Sequence, residues 1–395
     1  MFEKKDKLIR VTTVPSSLNI LLKGQLKFLN RKFEVKAISS SGEDLSEVKE
    51  REEVDTIVVN MQRGISPLKD LISLFNLYRQ FKKHKPMIVH SITPKAGLLT
   101  MLAGKLAGVP VRIHTFTGLI FPSKTGIIKK ILIVMDKLLC WSATNVYPEG
   151  NGVKRDLEHY GITSKPLKVL ANGNVNGIDL SFFDPSKISE EQKRDLRSEL
   201  EICEKDFVFI FVGRLVGDKG INELIQAFKD FLNEAPDFVQ AKLLLVGALE
   251  PNLDPLESTT LIEIESNPNI IAVGFQRDVR PYFSISNVLV FPSYREGFPN
   301  VVMQAGAMEL PAIVTDINGC NEIVIEGKNG TIIPVKNVKA IKDIMLIMVT
   351  NREYYLLMKA KSRTMIKERY EQQVVWDALL SEYQRLLRDK GLDYV

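Results

Sequence analysis

Short runs of β-branched and aromatic residues alternate along this chain with longer stretches in which apolar positions recur every three or four residues, the pattern of strands alternating with helices. In the first half the strand-like runs are 8–13, 34–38, 56–59, 87–90, 111–114 and 144–147, with helical spacing over 18–29, 67–81, 95–106 and 125–139. A second series occupies 207–212, 243–246, 270–273, 288–291, 312–314 and 331–333, again with helices between. The two series are joined by a charged stretch, 189–204, poor in large apolar residues, which places an interdomain connection there and divides the chain into domains 1–185 and 186–371. Trp376, Leu379, Leu380, Tyr383, Leu386 and Leu387 share one face of a final amphipathic helix within 372–395, expected to pack back on the first domain. The fold class this predicts is α/β: two Rossmann-like, doubly wound parallel sheets whose strand carboxyl ends border a cleft, where such folds bind ligands.

Length and composition narrow the class without deciding it. The 395 residues suit two domains at about 100 to 200 residues each. With 45% hydrophobic and 26% charged residues, disorder and fibrous repeats are excluded. A net charge of +5 suits an anionic ligand or an acidic membrane surface, and no nucleic-acid-binding motif accompanies it. Cys140, Cys203 and Cys320 stand far apart with no CxxC or His/Cys pairing, against a disulfide framework or a zinc site. The start of the chain lacks the apolar core and cleavage site of a signal peptide, and the most apolar stretch, 127–139, is broken by Lys129, Lys130, Asp136 and Lys137. A cytoplasmic location is expected.

Chemistry concentrates where strands end. After the strand 207–212 come Gly213, Arg214, Gly217, Lys219 and Gly220, then Ile221, Leu224, Ile225 and Phe228 at helical spacing. Two cations are thus delivered beside a helix N-terminus, where free N–H groups and the helix dipole favour an anion, with glycines allowing close backbone approach. The same residues also suit a solvated Arg and Lys flanking a cap. After the strand 288–291 comes Glu296-Gly297-Phe298-Pro299-Asn300-Val301-Val302-Met303-Gln304, again a Gly/Pro turn running into a helix.

On these motifs the chain resembles, over nearly all its length, the retaining glycosyltransferases of the two-Rossmann (GT-B) type, family 4-like, group 1. In that family an acidic residue holds donor-sugar hydroxyls and a second, eight positions later, holds the ribose. Glu296 matches the first. Gln304 stands at the second, and its amide keeps an acceptor and adds a donor but cannot act as a general base. The resemblance assigns Arg214 and Lys219 to the donor diphosphate. It also puts Gly213, Gly274, Phe275 and the segment Gly297 to Val301 against the nucleotide sugar, with Asp278 either there or capping the next helix. His114, in His114-Thr-Phe-Thr-Gly118, is the residue it places against the donor sugar, with His90 as a looser match. Both histidines equally fit buried, satisfied core positions. Thr93, Lys95 and Thr117 suit acceptor contacts or helix caps alike. Ser16 and Ser17 stand where many relatives carry a double glycine, and still offer donors to phosphate. No DxD-like acidic pair appears, Asp316 and Glu322 being apart, so no cofactor and no metal are expected.

The Thr-Val-Pro-Ser-Ser-Leu opening, Lys23-Gly-Gln25, Ser66-Pro-Leu68 and the His114 segment resemble a bacterial surface-polysaccharide subgroup. That narrows the pathway and not the sugar; the expected reaction is transfer of a hexose or N-acetylhexosamine from a UDP-sugar to a glycan or polyprenyl-diphosphate-linked acceptor, with no nucleic-acid partner. Two basic amphipathic segments, one around Lys23, Lys27, Arg31 and Lys32 and one around Lys124, Lys129, Lys130 and Lys137, fit either peripheral contact with an anionic membrane or ordinary core-packed helices. Asn172-Gly173 and Asn176-Gly-Ile-Asp179 fit a turn leaving the first domain. The rival functions are a sugar-nucleotide epimerase or hydrolase on the same fold, and a non-catalytic nucleotide-sugar-binding subunit.

Overall fold

A computed structural model describes residues 5–62, 64, 66–251 and 254–392. The expectations for the first four residues and for the last three of the final helix lie outside them. The chain divides into two units: unit 1 comprises Met1–Gly177 together with Gln372–Val395, and unit 2 comprises Ile178–Glu371.

Unit 1 holds the strands β1 (Lys7–Val11), β2 (Glu34–Ser39), β3 (Asp55–Val58), β4 (Ile88–Ser91), β5 (Val111–Phe116) and β6 (Asn145–Pro148). Its helices are α1 (Pro15–Leu21), α2 (Gln25–Asn30), α3 (Asp44–Glu52), α4 (Pro67–His84), α5 (Pro94–Ala107), α6 (Gly126–Ser142) and α7 (Asn151–His159). Unit 2 begins with α8 (Glu190–Glu199), and its strands are β7 (Phe207–Val212), β8 (Ala241–Val246), β9 (Ile270–Ala272), β10 (Val288–Phe291), β11 (Ala312–Thr315) and β12 (Gly330–Ile333). Between and after these come α9 (Ile221–Glu234), α10 (Ser258–Ser266), α11 (Arg280–Ser284), α12 (Asn300–Ala307), α13 (Cys320–Ile323), α14 (Val338–Thr350) and α15 (Arg352–Tyr370). The last helix, α16 (Gln372–Arg388), returns to unit 1.

Both sheets are parallel throughout, in the orders β3-β2-β1-β4-β5-β6 and β12-β11-β10-β7-β8-β9. Each order reverses direction once, between β1 and β4 in unit 1 and between β7 and β10 in unit 2. At such a switch point the loops leaving neighbouring strands diverge and open a crevice. Helices cover both faces, so β4 and β10 are buried along their whole lengths, as continuous apolar runs require.

Three expectations about organisation are corrected. The region 189–204 is not a linker: Ser189 and Gln192 form a reciprocal capping box that starts α8, and Arg197 donates to the Ile285 carbonyl at 3.1 Å. The change of unit falls at Gly177 rather than at 185, because Ile178 already donates to Tyr370 at 2.7 Å and Arg363 donates to the carbonyls of Leu180 and Phe183. The single helix expected over 18–29 is broken after Leu21, where Gly24 takes φ 80°, a conformation an L side chain resists.

Along α2, Leu26 and Leu29 are fully buried, and Phe28 lies 5.3 Å from Trp376. The basic segment around Lys23 therefore spends its apolar face on the core of unit 1, and membrane contact through it is withdrawn.

α16 completes unit 1 through polar as well as apolar contacts. The buried Arg10 guanidinium donates to Gln25 at 2.8 Å and to the Tyr383 hydroxyl at 2.9 Å, and that hydroxyl meets His90 Nδ1 at 2.6 Å. Against the upward push of burial, hydrogen bonds from Arg385, Tyr147 and Lys168 hold the Glu382 carboxyl down to about 2. Trp376 Nε1 donates to Asn176 at 2.8 Å. The turn at 171–177 is built as its sequence suggests: Asn174 takes φ 63°, and its side-chain oxygen accepts from the N–H groups of Asn176 and Gly177.

Candidate active site

The two strands flanking the switch point of unit 2 supply the residues of interest. Leaving β7, Gly213 and Arg214 lie against the turn after β8. A Cβ added to Gly247 would stand 1.7 Å from the Gly213 carbonyl oxygen, so only glycine allows these two loops to touch. The chain then makes one tight turn over Gly217–Lys219, and Gly220, at φ 71°, starts α9. A Cβ on Gly220 would meet the Pro292 carbonyl oxygen at 2.2 Å, which ties this turn to the loop leaving β10.

That contact brings the two motifs together. Lys219 Nζ pairs with Glu296 Oε1, and Ser293 Oγ donates to the same carboxylate oxygen at 2.9 Å. Arg214, half exposed, donates to Glu250 at 3.0 Å. Tyr294 N–H donates to the Asp218 carbonyl at 2.9 Å. Arg214 with Glu250 and Lys219 with Glu296 thus form two ion pairs on the loops at the carboxyl edge of the switch point.

Two residues here were missed by sequence reasoning. Glu250 holds Arg214, and Asp254 accepts the Asp218 N–H at 2.6 Å while its carboxylate lies close against Gly217, 3.0 Å from where a Cβ would stand. Both come from the turn after β8; two acids just past a predicted strand end were the available signal.

The other expected residues divide. Gln304 lies in α12, and its side-chain amide makes no hydrogen bond among the described residues. Phe298 is buried and packs edge-on to Tyr370, while Pro299, Asn300 and Val301 begin α12. The Gly274 carbonyl accepts from Gly247, and Phe275 is 71% exposed. Asp278 grips Arg280 and caps the start of α11, a structural use. No cluster of three or more His, Cys, Asp or Glu suited to a metal ion occurs among the described residues.

In unit 1 the matching edge is built differently. His114 is 1% exposed, donor or acceptor to Ser91 Oγ at 2.9 Å, and edge-on to Phe116. A Cβ on Gly97 would fall 2.5 Å from its ring, and burial holds its pKa down to about 3. The expected contact between His114 and a donor sugar is therefore not supported: strand β5 runs on to Phe116 and turns this imidazole under α5 as a neutral packing group. His90, between Tyr383 and Thr115, is likewise buried and kept neutral. Thr93 bonds Thr13 across the switch point, and Thr117 donates to the Ile92 carbonyl at 3.0 Å. Ser16 and Ser17 sit half-buried in the first turn of α1, and their hydroxyls make no hydrogen bond among the described residues.

The sequence matches the family model described as glycosyl transferases group 1 over residues 192–369, and the glycosyl transferase 4-like domain over residues 28–173. It is 32% identical over 394 residues to the capsular polysaccharide biosynthesis glycosyltransferase CapM of Staphylococcus aureus, covering 98% of this chain and 99% of that one. The chain belongs to the group 1 glycosyltransferases. It is an enzyme of that class. It is also 28% identical, over 85% of both chains, to the UDP-Gal:alpha-D-GlcNAc-diphosphoundecaprenol alpha-1,3-galactosyltransferase of Escherichia coli. Among solved structures, Anabaena HepE in complex with UDP and glucose superposes with a TM-score of 0.79 at 16% identity, covering 96% of this chain and 100% of that one, a likeness of fold. The GT-B architecture expected from the sequence is thus present.

The outer helices of unit 1 carry a second feature of the glycosyltransferase. α4 exposes Leu68, Leu71, Ile72 and Phe75, and α6 exposes Ile127, Ile131, Val134, Leu138 and Trp141. Both helices pack on α5. Across residues 67–142 the chain has twelve Lys and Arg against two Asp and no Glu, although its total charge is only +5. No helix of the described residues is long and apolar enough to cross a membrane.

Proposed function

We propose that this glycosyltransferase moves a hexose or N-acetylhexosamine from a UDP-sugar to a lipid-linked glycan during bacterial surface-polysaccharide assembly, with retention of anomeric configuration. The observation that carries the proposal is the placement of Arg214, held by Glu250, and of the Lys219–Glu296 pair in the loops that leave the two strands of the switch point of unit 2. On binding, the donor diphosphate replaces Glu250 as the partner of Arg214 and draws the Lys219 ammonium toward its oxygens, while Glu296 accepts hydroxyls of the sugar. As the bond from the anomeric carbon to the diphosphate oxygen breaks, charge grows on the leaving group, and two fixed cations stabilise it where it develops. The acceptor oxygen attacks the same face of the sugar, and a diphosphate oxygen takes its proton. Gln304 binds the ribose by hydrogen bonding only.

The acceptor class is supported by the Escherichia coli relative, whose name gives a diphosphoundecaprenol-linked acceptor. Peripheral contact with an anionic membrane is supported by the excess of positive charge and outward apolar stripes of α4 and α6. UDP titration tests the donor site: wild type binds UDP, and Arg214→Ala weakens binding at least about tenfold. Product analysis by NMR then reads the anomeric configuration. Equal UDP affinity in the variant, or inverted product, defeats the corresponding part. Release of a free epimerised sugar nucleotide without acceptor favours the epimerase alternative.

A further inference from the structure

Between α5, α6 and the end of β5 lies a cavity of about 70 Å³ that the donor chemistry leaves unused. Its apolar wall includes Leu98, Phe116, Leu132 and Met135, and its polar groups include Lys95 and Asp136. Lys95 stands in the first turn of the 14-residue α5, at the carboxyl edge of the sheet, with its side chain only 7% exposed. Its ammonium has three protons to share, yet its one partner among the described residues is Asp70 Oδ2, while Asp70 Oδ1 is buried without any. The Asp70 carboxylate balances its charge but engages only one of its three protons, leaving two to donate to the oxygens of a ligand in the adjoining cavity. Burial pushes the Asp136 carboxyl up to about 7, so near neutrality much of it stands as a neutral acid beside hydrocarbon. The Met135 wall continues along α6 to the exposed Ile131 and Ile127.

A cation at one wall and hydrocarbon at the others match the phosphate ester of a long apolar chain. We infer that this cavity is the subsite for the lipid end of the acceptor, with Lys95 on a phosphate oxygen and the first carbons of the chain against Leu98, Phe116, Leu132 and Met135. The chain then leaves over the apolar strip of α6. The inference rests on the acceptor being lipid-linked.

Binding of farnesyl phosphate to the full chain, followed by calorimetry, tests it independently of catalysis. Farnesyl phosphate is expected to bind at least about tenfold more tightly than inorganic phosphate or farnesol, because only it satisfies both walls. Leu98→Trp and Met135→Trp, which fill the cavity, and Lys95→Met should each weaken that binding about tenfold or more while leaving UDP affinity unchanged. Unchanged farnesyl phosphate binding in the two Trp variants overturns the subsite. So does a preference for vesicle phosphatidylglycerol that displaces farnesyl phosphate equally in wild type and variants, which would make this a site for bilayer lipid. If Leu98→Trp glycosylates a lipid-linked glycan as fast as wild type, the cavity assignment fails while the acceptor reading stands. If farnesyl phosphate binds as expected but no lipid-linked glycan is ever glycosylated, the acceptor reading fails instead.

Discussion

The two sheets share one strand order, yet their carboxyl edges are used in opposite ways. In unit 2, Arg214, Lys219 and Glu296 all lie in loops that follow a strand, and their charges are paired there, Arg214 with Glu250 and Lys219 with Glu296. In unit 1, His90 and His114 lie inside strands, and their rings point into the helical layers, where burial keeps them neutral. A residue within a buried parallel strand serves packing, whereas one or a few positions further it faces the crevice. That offset, more than residue type, separates a binding group from a core group.

This contrast can be broken most directly by exchanging activity for stability. Lys219→Ala should lower kcat by roughly 10²- to 10³-fold, the usual effect of removing one group that meets developing charge, with little shift of the unfolding midpoint. His114→Ala should do the reverse, lowering the unfolding midpoint through the cavity it leaves under Gly97 while UDP affinity holds. Steady-state rates and thermal melts on both variants decide the matter, and a catalytic collapse in His114→Ala at unchanged stability would restore it to the site.

Tyr383→Phe tests the buried polar chain of unit 1. It strips a partner from both Arg10 and His90 and should cost about 1 to 3 kcal/mol, read by urea unfolding. A neutral result would mean that water replaces the hydroxyl.

Acid should act on unit 1 first. His90 and His114 are neutral when folded and titrate near 6.5 when unfolded, so stability is full above that pH and drains as pH falls toward about 3, the value held by His114. All four histidines of the chain, His84, His90, His114 and His159, belong to unit 1. Hydrogen exchange at pH 7 and pH 5 should therefore show lost protection in β4 and β5 and little change in β7 and β10.

The smallest effect concerns Asp136, whose raised pKa has the opposite sign. Folded, it binds a proton up to about 7, so its own contribution to stability declines from about pH 4 to pH 7 as the unfolded chain ionises first. Asp136→Asn should gain on wild type across that window and keep a constant lead above it.

Much of this was legible beforehand. All twelve strands stand within a residue or two of the short apolar runs, and those buried on both faces, such as β4 and β10, leave an unbroken signal. The placement of the Arg214–Lys219 and Glu296 segments was legible for the same reason, each following a strand end. What escaped notice depends on partners distant in the chain. The buried Arg10 finds its acceptor in Tyr383, more than three hundred residues on, a pairing no local pattern announces. Glu250 and Asp254 act on a turn that their own loop does not reveal. The capped α8 was mistaken for a linker because its few apolar side chains weakened the periodic signal that its Ser189 and Gln192 cap restores.

The return of α16 to unit 1 has a consequence for biosynthesis. A ribosome delivers chain from the amino end, so β1 and its buried Arg10 emerge long before Tyr383. Unit 2, contiguous from Ile178 to Glu371, is fully synthesised while its predecessor still lacks a helix. The half made first is therefore finished last, and a nascent chain halted before residue 372 leaves that earlier half open along the seam where α16 belongs.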